Sequence, residues 1–238
     1  MPLAQPPAWY WAADAGNRSV IYPFFKRAFD IAAALAGLCL LSPLLLLVAL
    51  VVLLGDGLPI FYTEKRLGRG ERLFTLIKFR TLHNHSNATS HLATEGDPRI
   101  TRPGRWLRRW RIDEFPALLN VLRGDMSLVG PRPMVAGDAT HLTNEEREII
   151  YSVRPGLTDR AAVEFLAEDA VLADVDEPQA MYIDKLFHPK MASTIDAIKL
   201  ASFSRDLATV FMTARNLWSP AARARSRDMI NRLLMETE

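Results

Sequence analysis

The chain has 238 residues, 49% of them hydrophobic, with 15 prolines and a single cysteine. Its 29 Lys and Arg against 27 Asp and Glu leave a formal charge of +2, so where the cations sit says more than their sum. The lone Cys39 excludes an intramolecular disulfide and shows no sign of an oxidising compartment, and the length suits one large domain with or without appendages.

Residues 1–22 carry Pro2, Pro6 and Pro7 with Trp9, Tyr10 and Trp11, the composition of a poorly ordered or interface-lying arm. They do not form a signal peptide, because no small-residue cleavage site follows the next apolar run. That run, 31–54, holds 24 residues without a charge. At about 1.5 Å per residue it is long enough for the ~30 Å hydrocarbon layer and too long for an ordinary buried helix. Ser42-Pro43 falls at its middle, where a proline removes an intrahelical bond and bends the axis. Cations flank both ends, Arg18, Lys26 and Arg27 before and Lys65, Arg66, Arg69 and Arg72 after, which favours both ends on the cytoplasmic side. The pattern predicts a re-entrant helix over 23–56 that turns at Ser42-Pro43, with a bent crossing helix as the alternative.

Residues 59–82 read as a β-hairpin, with β-rich runs at 60–63 and 73–80 and a turn at Gly68-Arg69-Gly70. Alternation puts Lys78 and Arg80 on one face beside Phe74 and Leu76, and two like charges there call for an anion or for solvent. The polar loop 83–101 contains His83, His85 and His91. No acid or thiol has convincing spacing for a metal, so a solvated loop is expected. Asn87-Ala88-Thr89 fits a glycosylation sequon, which has no meaning in a cytoplasmic domain. Six arginines follow at 99, 102, 105, 108, 109 and 111, and Pro103 can start a helix with Trp106 and Trp110 on one face. Tryptophan with arginine suits a membrane surface or an anion-binding wall. Nucleic acid is disfavoured, since no such motif is present and the apolar run anchors the domain.

Asp113 and Glu114 stand just before Pro116, which suits a first helical position and pushes Phe115 out of helical geometry. They should lie on the bend entering a helix over 116–123, capped by Gly124. Acids there can simply complement a helix N-terminus; a functional reading needs the surroundings. Further on, Thr143 and Glu146 form a capping box. Residues 157–180 are acidic and expected to be largely solvated. Pro178 should open a helix that stops near Pro189. Ile195, Ile198, Phe203, Leu207, Val210 and Phe211 recur at helical spacing with Asp196, Lys199, Arg205 and Asp206 opposite, an amphipathic helix expected to pack on the core. Residues 216–238 form a basic amphipathic tail, fit for acidic lipid or for solvent.

Taken together, these are a membrane foot, a cationic strand face, an arginine-rich approach, a carboxylate pair and an arginine in Gly130-Pro131-Arg132-Pro133. Guanidinium holds phosphate oxygens in a fork, and one or two carboxylates suit magnesium. A carboxylate can also attack phosphorus and form an acyl phosphate. There is no Walker-type glycine loop and no serine or cysteine triad. The residues alone point to phosphoryl chemistry at a membrane.

At Lys26-Arg27-x-x-Asp30, Ser42-Pro43, Arg66-x-Gly68, Lys78-Phe79-Arg80-Thr81, Asp97-Pro98-Arg99-Ile100-Thr101, Asp113-Glu114-Phe115-Pro116, the run from Asn120 to Pro133, and Arg154-Pro155-Gly156-Leu157-Thr158, the chain resembles the bacterial sugar transferase family, the monotopic phosphoglycosyl transferases, in a short form. The resemblance implies transfer of a sugar 1-phosphate from a UDP-sugar to polyprenyl (undecaprenyl) phosphate with release of UMP, the initiating step of a bacterial surface glycan or exopolysaccharide. It implies that Asp113 is the nucleophile and a ligand of Mg2+. Glu114 would assist, and Lys78, Arg80, Arg108 and Arg132 would lie near the phosphates. It also implies a Ser42-Pro43 helix break and attachment to the cytoplasmic face of the inner membrane; a homodimer stays open. The expected fold is a helix-rich mixed α/β catalytic domain over 57–215 with a small hairpin, the re-entrant helix at 23–56 and surface amphipathic helices. The chain departs from the family's common pattern at Arg111, Ala117 and 159–165, which bears on sugar preference rather than reaction class. The competing reading is a non-catalytic membrane scaffold of a glycan assembly complex.

Overall fold

The computed structural model describes residues 21–83, 94 and 96–235. Most of the expected N-terminal arm, His85, His91 and the Asn87 sequon lie outside these residues.

A 36-residue helix, α1 (Ile21–Asp56), runs the length of the molecule's apolar segment with Pro43 inside it. The expected division at Ser42-Pro43 is not seen as a gap in the helix. Pro43 has no N–H for the carbonyl four residues back, which is that of Cys39. The Ser42 hydroxyl donates to that same carbonyl at 2.8 Å, so the orphaned acceptor is satisfied and the helix continues.

One face of α1 lies against the rest of the protein along nearly its whole length. Near its start, the Arg27 guanidinium donates to the Val121 and Leu122 carbonyls at 2.7 and 3.1 Å, and Asp30 accepts from the Leu128 N–H at 3.1 Å. Ala34 packs with Leu118 and Val121. Near its end, Val48 and Val52 pack with Phe79, Leu107 and Ile112. Both ends therefore meet the same folded body. The opposite face is bare hydrocarbon, Leu40 being 81% exposed and Leu46 and Leu54 nearly as open.

Strands β1 (Phe61–Leu67) and β2 (Leu73–Phe79) form the expected antiparallel hairpin, in register from Phe61 opposite Phe79 to Leu67 opposite Leu73. Its turn is a short 3-10 segment in which Gly70 takes φ of 63°. Helix α2 (Arg102–Arg109) has Pro103 in its first turn and is capped by Thr101, which accepts from the Gly104 N–H. A 3-10 turn, Ile112–Ala117, then carries the carboxylate pair into α3 (Leu118–Arg123), which Gly124 closes at φ of 92°. The helix closed by Gly124 is as expected, but Pro116 does not open it: Phe115 and Pro116 already lie in the 3-10 turn, and the α-helix begins at Leu118. Buried Asn120 ties α3 to β2, accepting from the Ile77 N–H at 3.1 Å and donating to the Thr75 carbonyl at 2.8 Å.

Strands β3 (Ser127–Val129) and β4 (Gly156–Thr158) make a small parallel pair around the Pro-Arg-Pro element, with α4 (Asn144–Ile150) and its capping box between them. The remainder is helical: α5 (Arg160–Glu164), α6 (Glu168–Leu172), α7 (Pro178–Met181), α8 (His188–Lys199), α9 (Phe203–Leu217) and α10 (Pro220–Met235). The chain is thus helix-rich and mixed, with two small sheets.

Four expectations change here. The helix opened by Pro178 does not stop near Pro189: a π-helical turn, Tyr182–Phe187, carries α7 into α8 with Pro189 in the first turn. Ile195 and Phe203 do not share a helix, because the chain breaks at 200–202 and Ser202 caps α9 anew. Nor does the apolar stripe of α9 pack on the core. Phe203, Leu207 and Phe211 face outward, Phe211 being 62% exposed, while Arg205, Asp206 and Thr209 are buried. The polar side turns inward because partners wait there: Asp206 accepts from Tyr22 at 2.8 Å and Lys26 at 2.6 Å, and Arg205 donates to the Leu200 carbonyl at 2.6 Å. The acidic stretch is also less solvated than expected, since Glu168 is buried against Lys190 at 2.5 Å. The basic tail, α10, packs through Ile230 against Phe165, Leu172 and Leu186.

Candidate active site

Asp113 and Glu114 are both buried, in the first turn of the segment that becomes α3. Glu114 is held by three cations from three parts of the chain. Its Oε1 accepts from Lys78 Nζ at 2.9 Å and from Arg132 Nη2 at 3.0 Å, with Arg111 Nη1 at 3.4 Å. Burial alone would push the Glu114 carboxyl upward, but Lys78, Arg132 and Arg111 outweigh it and hold the group ionised well below the usual carboxylate range. Asp113 has a different environment. Burial, and then the charge on Glu114, raise its pKa, against partial opposition from Lys78, Arg111 and Arg108. Its Oδ1 is buried with no hydrogen-bond partner. Two adjacent carboxylates are thus set apart by their surroundings, one tied up in charge and one open.

Each cation is positioned by local structure. Lys78 comes from β2, where burial draws its ammonium below the ordinary range and the charge of Glu114 opposes that. Arg132 stands between Pro131 and Pro133 on a loop held from both sides. The Arg66 guanidinium donates to the Pro133 carbonyl at 3.1 Å and the Leu67 N–H to the Met134 carbonyl at 2.9 Å, while the Gly156 N–H donates to the Pro131 carbonyl at 2.8 Å. Glu114 above all raises the Arg132 pKa, so this guanidinium stays charged. Arg111 sits at φ of 56°, a left-handed backbone uncommon outside glycine, which lets the chain turn from α2 into the carboxylate turn.

Of the residues read from the sequence, Asp113, Glu114, Lys78 and Arg132 come together, and Arg108 acts on Asp113 through its charge. Arg80 is turned elsewhere. It is buried, and its Nη2 donates to the Asp56 and Gly57 carbonyls at 2.9 and 2.6 Å, stapling the end of α1 to the hairpin. The anion that Lys78 required is Glu114 itself. His83 lies beside Asp56 at 2.9 Å, at that same staple. Sequence reasoning passed over Arg111 as a third cation on Glu114, and over Arg66 as the brace of the Pro-Arg-Pro loop. Both were visible as arginines; their targets depend on a left-handed residue and on a strand register.

The cleft over Glu114 is narrow, about 20 Å³, lined by Lys78, Arg132, Met126 and Leu157. A larger cavity of about 320 Å³ lies across the β3–β4 pair and includes neither carboxylate. No group of three His, Cys, Asp or Glu side chains suited to a metal is found among the described residues. The unpartnered Asp113 oxygen nevertheless suits one ligand of a magnesium ion, which commonly takes one or two carboxylates together with substrate phosphates.

Residues 21–219 match a protein family described as bacterial sugar transferase. The UDP-N-acetylgalactosamine-undecaprenyl-phosphate N-acetylgalactosaminephosphotransferase of Aeromonas hydrophila is 36% identical over 205 residues, covering 84% of this chain and 45% of that protein. The undecaprenyl-phosphate glucose phosphotransferase of Komagataeibacter xylinus is 42% identical over 145 residues, 58% of this chain and 27% of the relative. The UDP-glucose:undecaprenyl-phosphate glucose-1-phosphate transferase of Caulobacter vibrioides is 38% identical over 195 residues, 81% of this chain and 69% of the relative. The chain thus spans less than half the length of two of these relatives and about two thirds of the third.

Proposed function

This chain belongs to the bacterial sugar transferase family, and on that premise we propose that it transfers a sugar 1-phosphate from a UDP-sugar to polyprenyl phosphate through a phosphosugar intermediate on Asp113. The observation that carries this reading is the unpartnered Asp113 oxygen beside a Glu114 already occupied by three cations.

In the first step the Asp113 carboxylate attacks the sugar-linked phosphorus. The bond from that phosphorus to the bridging oxygen breaks, and UMP leaves with the electron pair. In the second step an oxygen of polyprenyl phosphate attacks the acyl phosphate, the carboxylate is regenerated, and a polyprenyl diphosphate sugar departs. A phosphate monoester is already largely ionised near neutral pH, so the acceptor needs no strong base. Glu114, held ionised, therefore acts by positioning: it fixes Lys78, Arg111 and Arg132 where charge accumulates on the phosphoryl oxygens. Asp113 and the diphosphate would hold magnesium, which neutralises phosphate charge.

The chain would be held by α1, as a re-entrant anchor bent near Ser42-Pro43 on the cytoplasmic face of the inner membrane; the exposed apolar face of α1 and its two ends resting on one body favour an anchor that returns to the same side. The outward Phe203, Leu207 and Phe211 of α9 would rest at the lipid interface. Donor sugars named for the relatives, glucose and N-acetylgalactosamine, are the first to try, and an early step of exopolysaccharide synthesis is the setting.

The test is UMP release by the protein in nanodiscs with magnesium, undecaprenyl phosphate and a panel of UDP-sugars. Asp113→Asn should lower turnover by about 10³-fold or more and abolish a trapped sugar-phosphate adduct on the protein. Full turnover by Asp113→Asn would overturn the nucleophile assignment.

A further inference from the structure

The larger cavity is bounded by the first turns of α1, the outer side of the β3–β4 pair, the end of α8 and α9. Arg27, Arg69 and Arg154 stand on its wall. None of the three has a carboxylate within ion-pair distance among the described residues. Two are fixed by backbone: Arg27 by the Val121 and Leu122 carbonyls, and Arg154 by its Nε donating to the Gly124 carbonyl at 2.8 Å. Those bonds suit the negative end of α3, but one cation would serve so short a helix. The third, Arg69, is exposed on the hairpin turn and makes no side-chain hydrogen bond among the described residues.

Crowding three guanidinium groups has a cost that is visible at Arg154. Burial, and then the charges of Arg27 and Arg69, push its pKa down, and the charge of Asp30 opposes them without reversing the direction. The acids on the same wall are spent elsewhere. Asp30 accepts from the Leu128 N–H, Asp206 from Tyr22 and Lys26, and Asp159 from the Ala162 N–H and Thr194. The wall also has apolar surface from Val153, Ile198 and Leu200 among polar side chains such as Ser127, Ser152 and Thr209, and Phe24 and Phe25 are exposed near the start of α1. Two fixed guanidinium groups and one free to move, none of them in a direct ion pair among the described residues, next to apolar surface at the foot of an apolar helix, match a phosphate with an organic group attached.

We propose that Arg27, Arg69 and Arg154 form a binding site for a phosphate ester, separate from the Asp113–Glu114 pair and set on the opposite side of the same β3–β4 wall. The site does not depend on the transferase reading. Its occupant could reach it as a lipid headgroup or as a free phosphate, and the experiment distinguishes these sources.

The full chain is placed in nanodiscs of neutral phosphatidylcholine and titrated with inorganic phosphate, and in parallel placed in discs doped with phosphatidylglycerol. The melting temperature is followed, since a ligand bound only by the folded state raises it. A rise with phosphate alone assigns a free phosphate; a rise only with phosphatidylglycerol assigns the headgroup; either supports the site. Arg69→Gln should weaken the apparent affinity about tenfold, and Arg69→Glu should abolish the response. Arg69 holds nothing in place, so both variants should keep the wild-type circular dichroism spectrum. Asp113→Asn and Lys78→Gln should respond as wild type. No rise with either probe, a full response from Arg69→Glu, or a response lost in Lys78→Gln would overturn the proposal.

Discussion

Asp113 and Glu114 are chemically near-identical neighbours that the fold drives apart. Glu114 meets Lys78, Arg111 and Arg132, while Asp113 is desolvated with one oxygen open. Because the Asp113 pKa is raised, the ionised carboxylate that the proposed mechanism requires is lost as pH falls through a value above the ordinary aspartate pKa of about 3.9. The acid limb of kcat/KM should therefore lie above that value. Lys78 lowers the Asp113 pKa, so Lys78→Gln should move the limb to higher pH as well as reducing the rate. A limb that stays in place while the rate drops would separate Lys78 from the nucleophile. At this scale the sequence was readable wherever chemistry names a residue. Four of the six expected site residues meet in space, and Arg108 acts on Asp113 through its charge. Arg80 could not be separated from Lys78 by alternation, because two residues apart on a strand share a face. What divides them is the end of α1, whose carbonyls claim Arg80.

Among the elements, the β3–β4 pair has the least slack. A Cβ on Gly156 would stand 2.1 Å from the Gly130 nitrogen, and one on Gly130 2.4 Å from the Arg154 oxygen. Gly156→Ala must separate the strands and release the loop that carries Arg132. It should lower the melting temperature and cut kcat together, measured by calorimetry and UMP release; an active protein with an unchanged melting temperature would contradict this. The α9 helix shows why element type was easier to read than orientation. Its periodicity was plain, but an apolar stripe reads the same whether it faces a core or a bilayer. Orientation came from Asp206 meeting Tyr22 and Lys26, some 180 residues away in sequence. A spin label at Leu207→Cys, in a Cys39→Ala background, should be more accessible to oxygen than to a water-soluble nickel chelate in bilayers. The reverse order would place α9 in water.

For the molecule as a whole, the decisive relation is between α1 and everything after it. Phe24 near its start and Leu58 just past its end are both open to solvent, at 73% and 69% exposure. With Cys39→Ala, a cysteine placed at either position should react with an impermeant maleimide from the same side of sealed vesicles. Labelling from opposite sides would replace the re-entrant anchor with a crossing helix. Length and composition had made this segment legible as one long apolar helix. They could not show that it also lines two hydrophobic clusters of the catalytic body, because contacts with Leu118, Phe79 and Ile112 lie beyond any local pattern.

The shared packing of α1 also sets an order in time. Ala34, Val48 and Val52 complete clusters whose other members, Phe74, Phe79, Leu107, Val121 and Met126, emerge from the ribosome later. If α1 enters the bilayer as proposed, during synthesis this segment comes before its partners and waits for them, one face committed to lipid. The catalytic body would then be assembled against a template already in the membrane. A cell that delayed insertion would be left with a chain lacking part of its own interior.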